Sequence, residues 1–220
     1  MTLEVINVET APNPTASIII LHGLGADGND FVPVAHELDL TQVGPVRFVF
    51  PHGPTRPVTI NGGHVMRAWY DILGTDIARR EDEAGLRASQ ALVEALIAQE
   101  RARGIPASRI VLGGFSQGCA MTLMAGLRHS ERLAGLLGMS GYLPLADTTA
   151  AERNAANAGV PIFLAHGRSD PVIALARATA SRDALLALGY PVEWHDYPMP
   201  HSVCAQEIAD INRWLLKVLA

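Results

Sequence analysis

Gly114-Phe115-Ser116-Gln117-Gly118 is the segment whose residue types and spacing point most directly to chemistry. A G-x-S-x-G run puts a serine on a very tight strand-to-helix turn, where neighbours bearing a Cβ would collide. Such a turn lifts the hydroxyl clear of the sheet and aims the N–H groups of the next helix at any oxyanion formed there. Glycine and serine are common, so the pattern alone is weak and its surroundings must make it specific. Arg109-Ile110-Val111-Leu112 is a strand-like run entered from the breaker Gly104-Ile105-Pro106, and no charge occurs from Gln117 to Leu127. That uncharged stretch predicts a helix buried against a sheet. Ser116 is therefore read as a nucleophile for acyl transfer.

A serine nucleophile also needs a base, an acid to orient it and donors for the oxyanion. In the α/β-hydrolase arrangement the side chains follow the order serine, acid, histidine. Asp170 stands just after the predicted strand Pro161–His166, and His201 just after the last predicted strand, Pro191–Tyr197. Both lie beyond carboxyl ends of parallel strands, the edge at which such sheets bind ligands. His195 and Asp196 fall inside the last strand, where side chains point to a sheet face. His22 and His166 stand at strand ends but break the chain order, and each is read as a structural histidine bonded to loop backbone. For the oxyanion, Gln117 supplies the N–H after the nucleophile, and Leu24 in His22-Gly23-Leu24-Gly25 is the second candidate. Main-chain amides donate here, so side-chain identity at both positions is expected to matter little.

Competing chemistry is weaker. Gly23-Leu24-Gly25-Ala26-Asp27-Gly28 matches the dinucleotide G-x-G-x-x-G, but that reading needs a carboxylate closing the next strand. The next strand ends Phe48-Val49-Phe50-Pro51 without one, and Arg47, the cation nearest to serve a phosphate, lies inside it. Eight histidines form no H-E-x-x-H or paired Cys/His spacing, so no metal site is expected.

The elements that must hold these residues are legible as alternating strands and helices. Ala16–Leu21 is a continuous apolar run, the mark of a central strand covered on both faces. A helix from about Asp30 to Leu40, capped by Asp30, precedes the strand Val46–Phe50. Pro51 to Leu73 forms a long connection too apolar for a solvated linker (Met66, Trp69, Tyr70, Ile72), and is expected to pack beside the site. A helix over about 81–103 buries Leu86, Val93, Leu96 and Ile97; another over 203–219 buries Ile208, Ile211, Trp214, Leu215 and Val218. The expectation is an α/β fold with a mostly parallel central sheet, helices on both faces and no separate cap, as one domain over residues 1–220.

A net charge of −5 with 18% charged residues gives nucleic acid or an anionic membrane no basic surface to bind. The first ten residues carry two acids and no base, unlike a secretory signal, and no apolar run has the length of a membrane span. With that start, Cys119 and Cys204 are expected to be reduced, small buried residues of a cytoplasmic protein.

With these residues in hand, the chain resembles the phospholipase/carboxylesterase family of α/β-hydrolases, which includes bacterial carboxylesterases and acyl-protein thioesterases. The resemblance rests on Leu21 to Gly28, Arg67-Ala68-Trp69-Tyr70-Asp71, Gly113 to Gly118, His166-Gly167-Arg168-Ser169-Asp170 and Tyr197-Pro198-Met199-Pro200-His201. It implies Ser116, Asp170 and His201 as the triad, with Leu24 and Gln117 as oxyanion donors. The loop from Trp69 to Leu73, with Val172, would line an apolar acyl groove. It further implies a cytoplasmic carboxylesterase without cofactor, acting on short-to-medium acyl esters and possible as a homodimer, with thioesterase or lysophospholipase activity as the alternative. One departure is Pro200 before His201, where members often carry glycine; it stiffens the histidine loop.

Overall fold

The computed structural model describes residues 3–74 and 81–220. In chain order its strands are β1 (Val5–Glu9), β2 (Ala16–Leu21), β3 (Val46–Pro51), β4 (Thr55–Val58), β5 (His64–Arg67), β6 (Ile110–Phe115), β7 (Gly135–Met139), β8 (Ile162–Gly167) and β9 (Val192–Tyr197). The helices are α1 (Val32–Glu37), α2 (Glu83–Ala102), α3 (Gln117–Gly126), α4 (Ala146–Glu152), α5 (Leu175–Ala187) and α6 (Ala205–Val218). Seven strands form one sheet in the order β1-β3-β2-β6-β7-β8-β9, while β4 and β5 pair with each other. From β3 to β9 the neighbours are parallel, and β1 closes one edge antiparallel to β3.

The unbroken apolar run of β2 divides between two cores because side chains alternate along a strand. Ile19 and Leu21 join Leu86, Val93, Leu96 and Ile97 of α2 on one face. Ile18 and Ile20 join Phe48, Phe50, Trp214 and Leu215 on the other, against α6. Each such side chain, fully buried, contributes ~2 kcal/mol of transfer free energy, and both faces must be covered for a strand of this composition. α3 lies in the first core with every residue buried, which accounts for its lack of charge.

Several elements differ from the sequence reading. The first helix does not start at Asp30: a 3-10 turn spans Gly28–Phe31, capped by the Asp27 carboxylate on Asn29 N–H at 2.8 Å, and α1 covers Val32–Glu37 alone. Pro33 explains this, since proline is tolerated in the first helical turn and not further in. The Asp39 carboxylate then accepts from Thr41 N–H and ends any continuation. The connection after β3 contains the β4–β5 hairpin, hidden in the sequence by Pro57 within one of its strands. β1 also went unread, being half-buried at the sheet edge.

Register aligns the carboxyl ends of the central strands. Leu21 pairs with Gly114, Phe115 with Met139, Met139 with Ala165 and Gly167 with Tyr197. The loops that follow β2, β6, β8 and β9 therefore leave the sheet along one rim.

Candidate active site

Ser116 sits between β6 and α3 with φ 56° and ψ −115°, a backbone conformation costly for a residue with a side chain. The flanking glycines make the turn possible. A Cβ on Gly114 would overlap the backbone of Gly118, and one on Gly118 would overlap the carbonyl oxygen of Leu21 at the end of β2. α3 thus starts directly against two strand ends. Ser116 N–H is spent on Met139 O at 2.9 Å, which ties the turn to β7.

Asp170 and His201 come together from the loops after β8 and β9. The Asp170 carboxylate is buried; its Oδ1 accepts from the N–H groups of Val172 (2.8 Å) and Ile173 (2.9 Å). Its Oδ2 lies 2.6 Å from His201 Nδ1, so the imidazole presents its Nε2 elsewhere. The ring rests on Phe115, the residue before Ser116, with centroids 4.7 Å apart. Ser116 Oγ forms no hydrogen bond within 3.5 Å among the described residues; such bonds are commonly loose before substrate binds. His166, Nε2 on Ile173 O at 2.8 Å and 3.3 Å from Asp170 Oδ2, buttresses the acid loop.

The loop after β2 reaches the same place. A Cβ on Gly23 would lie 3.3 Å from Ser116 Cβ. Neither Leu24 N–H nor Gln117 N–H is taken by a backbone hydrogen bond among the described residues. Two free donors beside a strained serine can hold a tetrahedral oxyanion.

The side chain of Gln117 corrects the expectation that it is immaterial. It is buried, its Oε1 accepts from Trp69 N–H at 3.0 Å and its Nε2 donates to Tyr70 O at 2.9 Å. It therefore clips the loop after β5 onto the elbow. Trp69, expected in the acyl groove, is 0% exposed and does not line a surface: its indole N–H donates 2.9 Å to His22 O, and its carbonyl takes the Ser89 hydroxyl. Leu73 and Val172 are open, at 44% and 61% exposure. Sequence reasoning missed the Gln117 clip because it links residues 48 apart, and only the apolarity of Trp69-Tyr70 hinted that this loop was packed.

The rival chemistry is accounted for. Gly28, last of the dinucleotide-like glycines, packs on β3, where a Cβ would come within 2.6 Å of Phe50 O. Arg47 spans Glu9 at 2.5 Å and Glu100 at 3.3 Å, so its charge is already engaged. His22 bonds loop backbone through both ring nitrogens. Both cysteines are free thiols; Cys119 is buried, which pushes its thiol up to about 12, but Cys204 is only half-buried at the start of α6.

The family model described as Phospholipase/Carboxylesterase matches residues 2–219. The chain belongs to that family. Within the phospholipase/carboxylesterase family it is similar to acyl-protein thioesterase 1 of Yarrowia lipolytica, 41% identical over 206 residues that cover 91% of each chain. It is 42% identical to acyl-protein thioesterase 1 of Neurospora crassa over 93% of this chain and 87% of that one. Among solved structures, Zea mays acyl-protein thioesterase 2 superposes with a TM-score of 0.86 at 29% identity, covering 98% of this chain and 99% of that one. Membership of the phospholipase/carboxylesterase family makes the chain a hydrolase of the esterase and thioesterase class with the α/β-hydrolase fold. Among the described residues no helix is long and apolar enough to cross a membrane.

Proposed function

We propose that this chain is a cytoplasmic serine carboxylesterase that cleaves short-to-medium acyl esters through an acyl-enzyme on Ser116. The observation that carries the reading is the 2.6 Å Asp170–His201 pair, held against Phe115 beside a serine at φ 56°. Ser116 Oγ attacks the ester carbonyl as His201 Nε2 accepts its proton, while Asp170 keeps the other ring proton on Nδ1. The N–H groups of Leu24 and Gln117 receive the oxyanion, each worth ~3–4 kcal/mol of transition-state stabilisation. The intermediate collapses, His201 gives its proton to the departing alkoxide, and an alcohol leaves. Water, deprotonated by His201, then attacks the acyl-serine and releases the acid and the free hydroxyl. Leu73 and Val172, exposed and apolar, support an open groove in which each buried methylene adds ~0.8 kcal/mol.

A second reading, hydrolysis of acyl thioesters on the same triad, is favoured by relatives more than 40% identical that are named acyl-protein thioesterases. One panel tests both: p-nitrophenyl esters from acetate to palmitate, acyl thioesters and lysophospholipids, together with fluorophosphonate labelling of the protein and of Ser116→Ala. The expected result is labelling at Ser116, turnover lost by several orders of magnitude in Ser116→Ala, and kcat/KM greatest on esters of intermediate length. A thioester preference would replace the first reading with the second. Unchanged turnover in Ser116→Ala would remove both.

A further inference from the structure

His22 follows β2 directly and opens the oxyanion loop, 1% exposed. Its Nδ1 lies 2.7 Å from Gly23 O and its Nε2 lies 2.8 Å from Gly53 N. A carbonyl can only accept and a backbone N–H can only donate, so the two partners together fix the tautomer: the proton is on Nδ1, and Nε2 is the acceptor. Burial lowers the pKa of this imidazole, and the Arg67 charge adds to that, against Gly23 O, Asp27 and Asp30. The ring is thus a fixed donor aimed at one carbonyl.

That carbonyl has a partner in its own plane. Gly23 C=O and Leu24 N–H belong to a single trans peptide group, so they point in opposite directions. The peptide units on either side are also tied down. His22 O takes the Trp69 indole N–H at 2.9 Å, and Gly25 N–H donates to Arg67 O at 2.9 Å. Gly23 O accepts a second bond, from Ala26 N–H at 3.3 Å. His22 O, Gly23 O and Gly25 N–H therefore each have a partner, Leu24 N–H has none among the described residues, and Gly23 itself is packed on Ser116.

We infer that His22 is a positioning residue for the oxyanion hole: by holding Gly23 O, its ring turns the Leu24 N–H toward the carbonyl that Ser116 attacks. The inference rests on the Ser116 reading above. It goes beyond treating His22 as packing, because it assigns the ring an effect on the transition state that ground-state binding does not share.

The test compares His22→Asn, whose amide N–H₂ falls where Nδ1–H was, with His22→Gln, whose longer side chain reaches the Nε2 position and leaves Gly23 O without its donor. Loss of a whole oxyanion donor costs ~10²–10³ in kcat. A donor left in place but free to turn should cost ~10–100-fold, so His22→Gln is expected to be slower than His22→Asn in kcat by that factor, with KM within about twofold. An alkyl boronic acid, which mimics the tetrahedral state, should lose affinity for His22→Gln by the same factor as kcat/KM. Equal falls in kcat and melting temperature in the two variants would mark a structural role and overturn the inference. Should neither variant fold, NMR of the wild-type protein decides: the Leu24 amide proton is expected to shift downfield on boronate binding, and an unmoved Leu24 amide overturns it. Ser116→Ala, assayed alongside, separates the two failures. Retained turnover there defeats the serine mechanism and this inference with it, whereas a dead Ser116→Ala beside a normal His22→Gln defeats the inference alone.

Discussion

Glu207, in the first turn of α6, is 0% exposed, and neither carboxyl oxygen has a hydrogen-bond partner among the described residues. Burial pushes this acid up to about 8 from 4.5; the Cys204 main chain opposes the shift and the Asp210 charge adds to it. The folded chain then binds a proton that the unfolded chain releases, so Glu207 favours folding fully below pH 4.5. That contribution is lost as pH rises, at about 1.4 kcal/mol per unit, until it levels off above pH 8. By pH 7 the deficit is ~3 kcal/mol. Glu207→Gln has the shape of the protonated acid and no charge to desolvate. The difference in stability between variant and parent, which cancels every other titrating group, should therefore climb by ~3 kcal/mol from pH 4.5 to 7 and flatten above 8. Urea unfolding at a series of pH values, with the m-value checked for constancy, measures it. A difference that stays level between pH 5 and 8, or a variant less stable than its parent at pH 8, would refute the reasoning.

Asp170→Asn must keep an oxygen on the Val172 and Ile173 N–H groups, which turns its N–H₂ toward His201 Nδ1 and forces the wrong imidazole tautomer. Turnover should fall by ~10³–10⁴ with folding intact, and circular dichroism beside steady-state kinetics would expose any confusion of the two. Gln117→Ala leaves Trp69 N–H and Tyr70 O unpaired inside the protein, at ~1–3 kcal/mol each. Its melting temperature should drop by ~5–15 °C while measurable activity survives, and an unshifted melt would show that the clip is idle. Gly118→Ala drives a methyl into Leu21 O, so little folded protein is expected on expression, and a wild-type melting curve would contradict the packing argument.

What could be read from the chain depended on the range of the interaction. The two-sided burial of β2 is local, written in four consecutive aliphatic residues from Ile18 to Leu21. Asp170 and His201 could be selected because each follows a strand end, and chain order with strand polarity restricts what can meet on the rim. The roles of the Gln117 and Trp69 side chains were opaque because each is set by a partner 47 or 48 residues away in a loop without periodicity, whereas His22 was legible as a histidine bonded to loop backbone. β1 and the β4–β5 hairpin escaped for another reason. Their pairing is satisfied at an edge or in a two-stranded ribbon, where few buried side chains are needed and the alternating pattern fades.

The loops that carry Asp170 and His201 are laced to one another along their length. Arg168 N–H donates to Tyr197 O and Ser169 N–H to Met199 O, and Gly167 lies so close to the Met199 and Pro200 carbonyls that a methyl there would not fit. Acid and base consequently ride on one platform, whereas the serine stands on another, anchored to β7 and α3. Breathing of the protein should leave the imidazole–carboxylate spacing constant and modulate the gap across which the hydroxyl proton must travel. The Phe115–His201 ring contact bridges the two platforms, and an incoming acyl group would span the gap beside it.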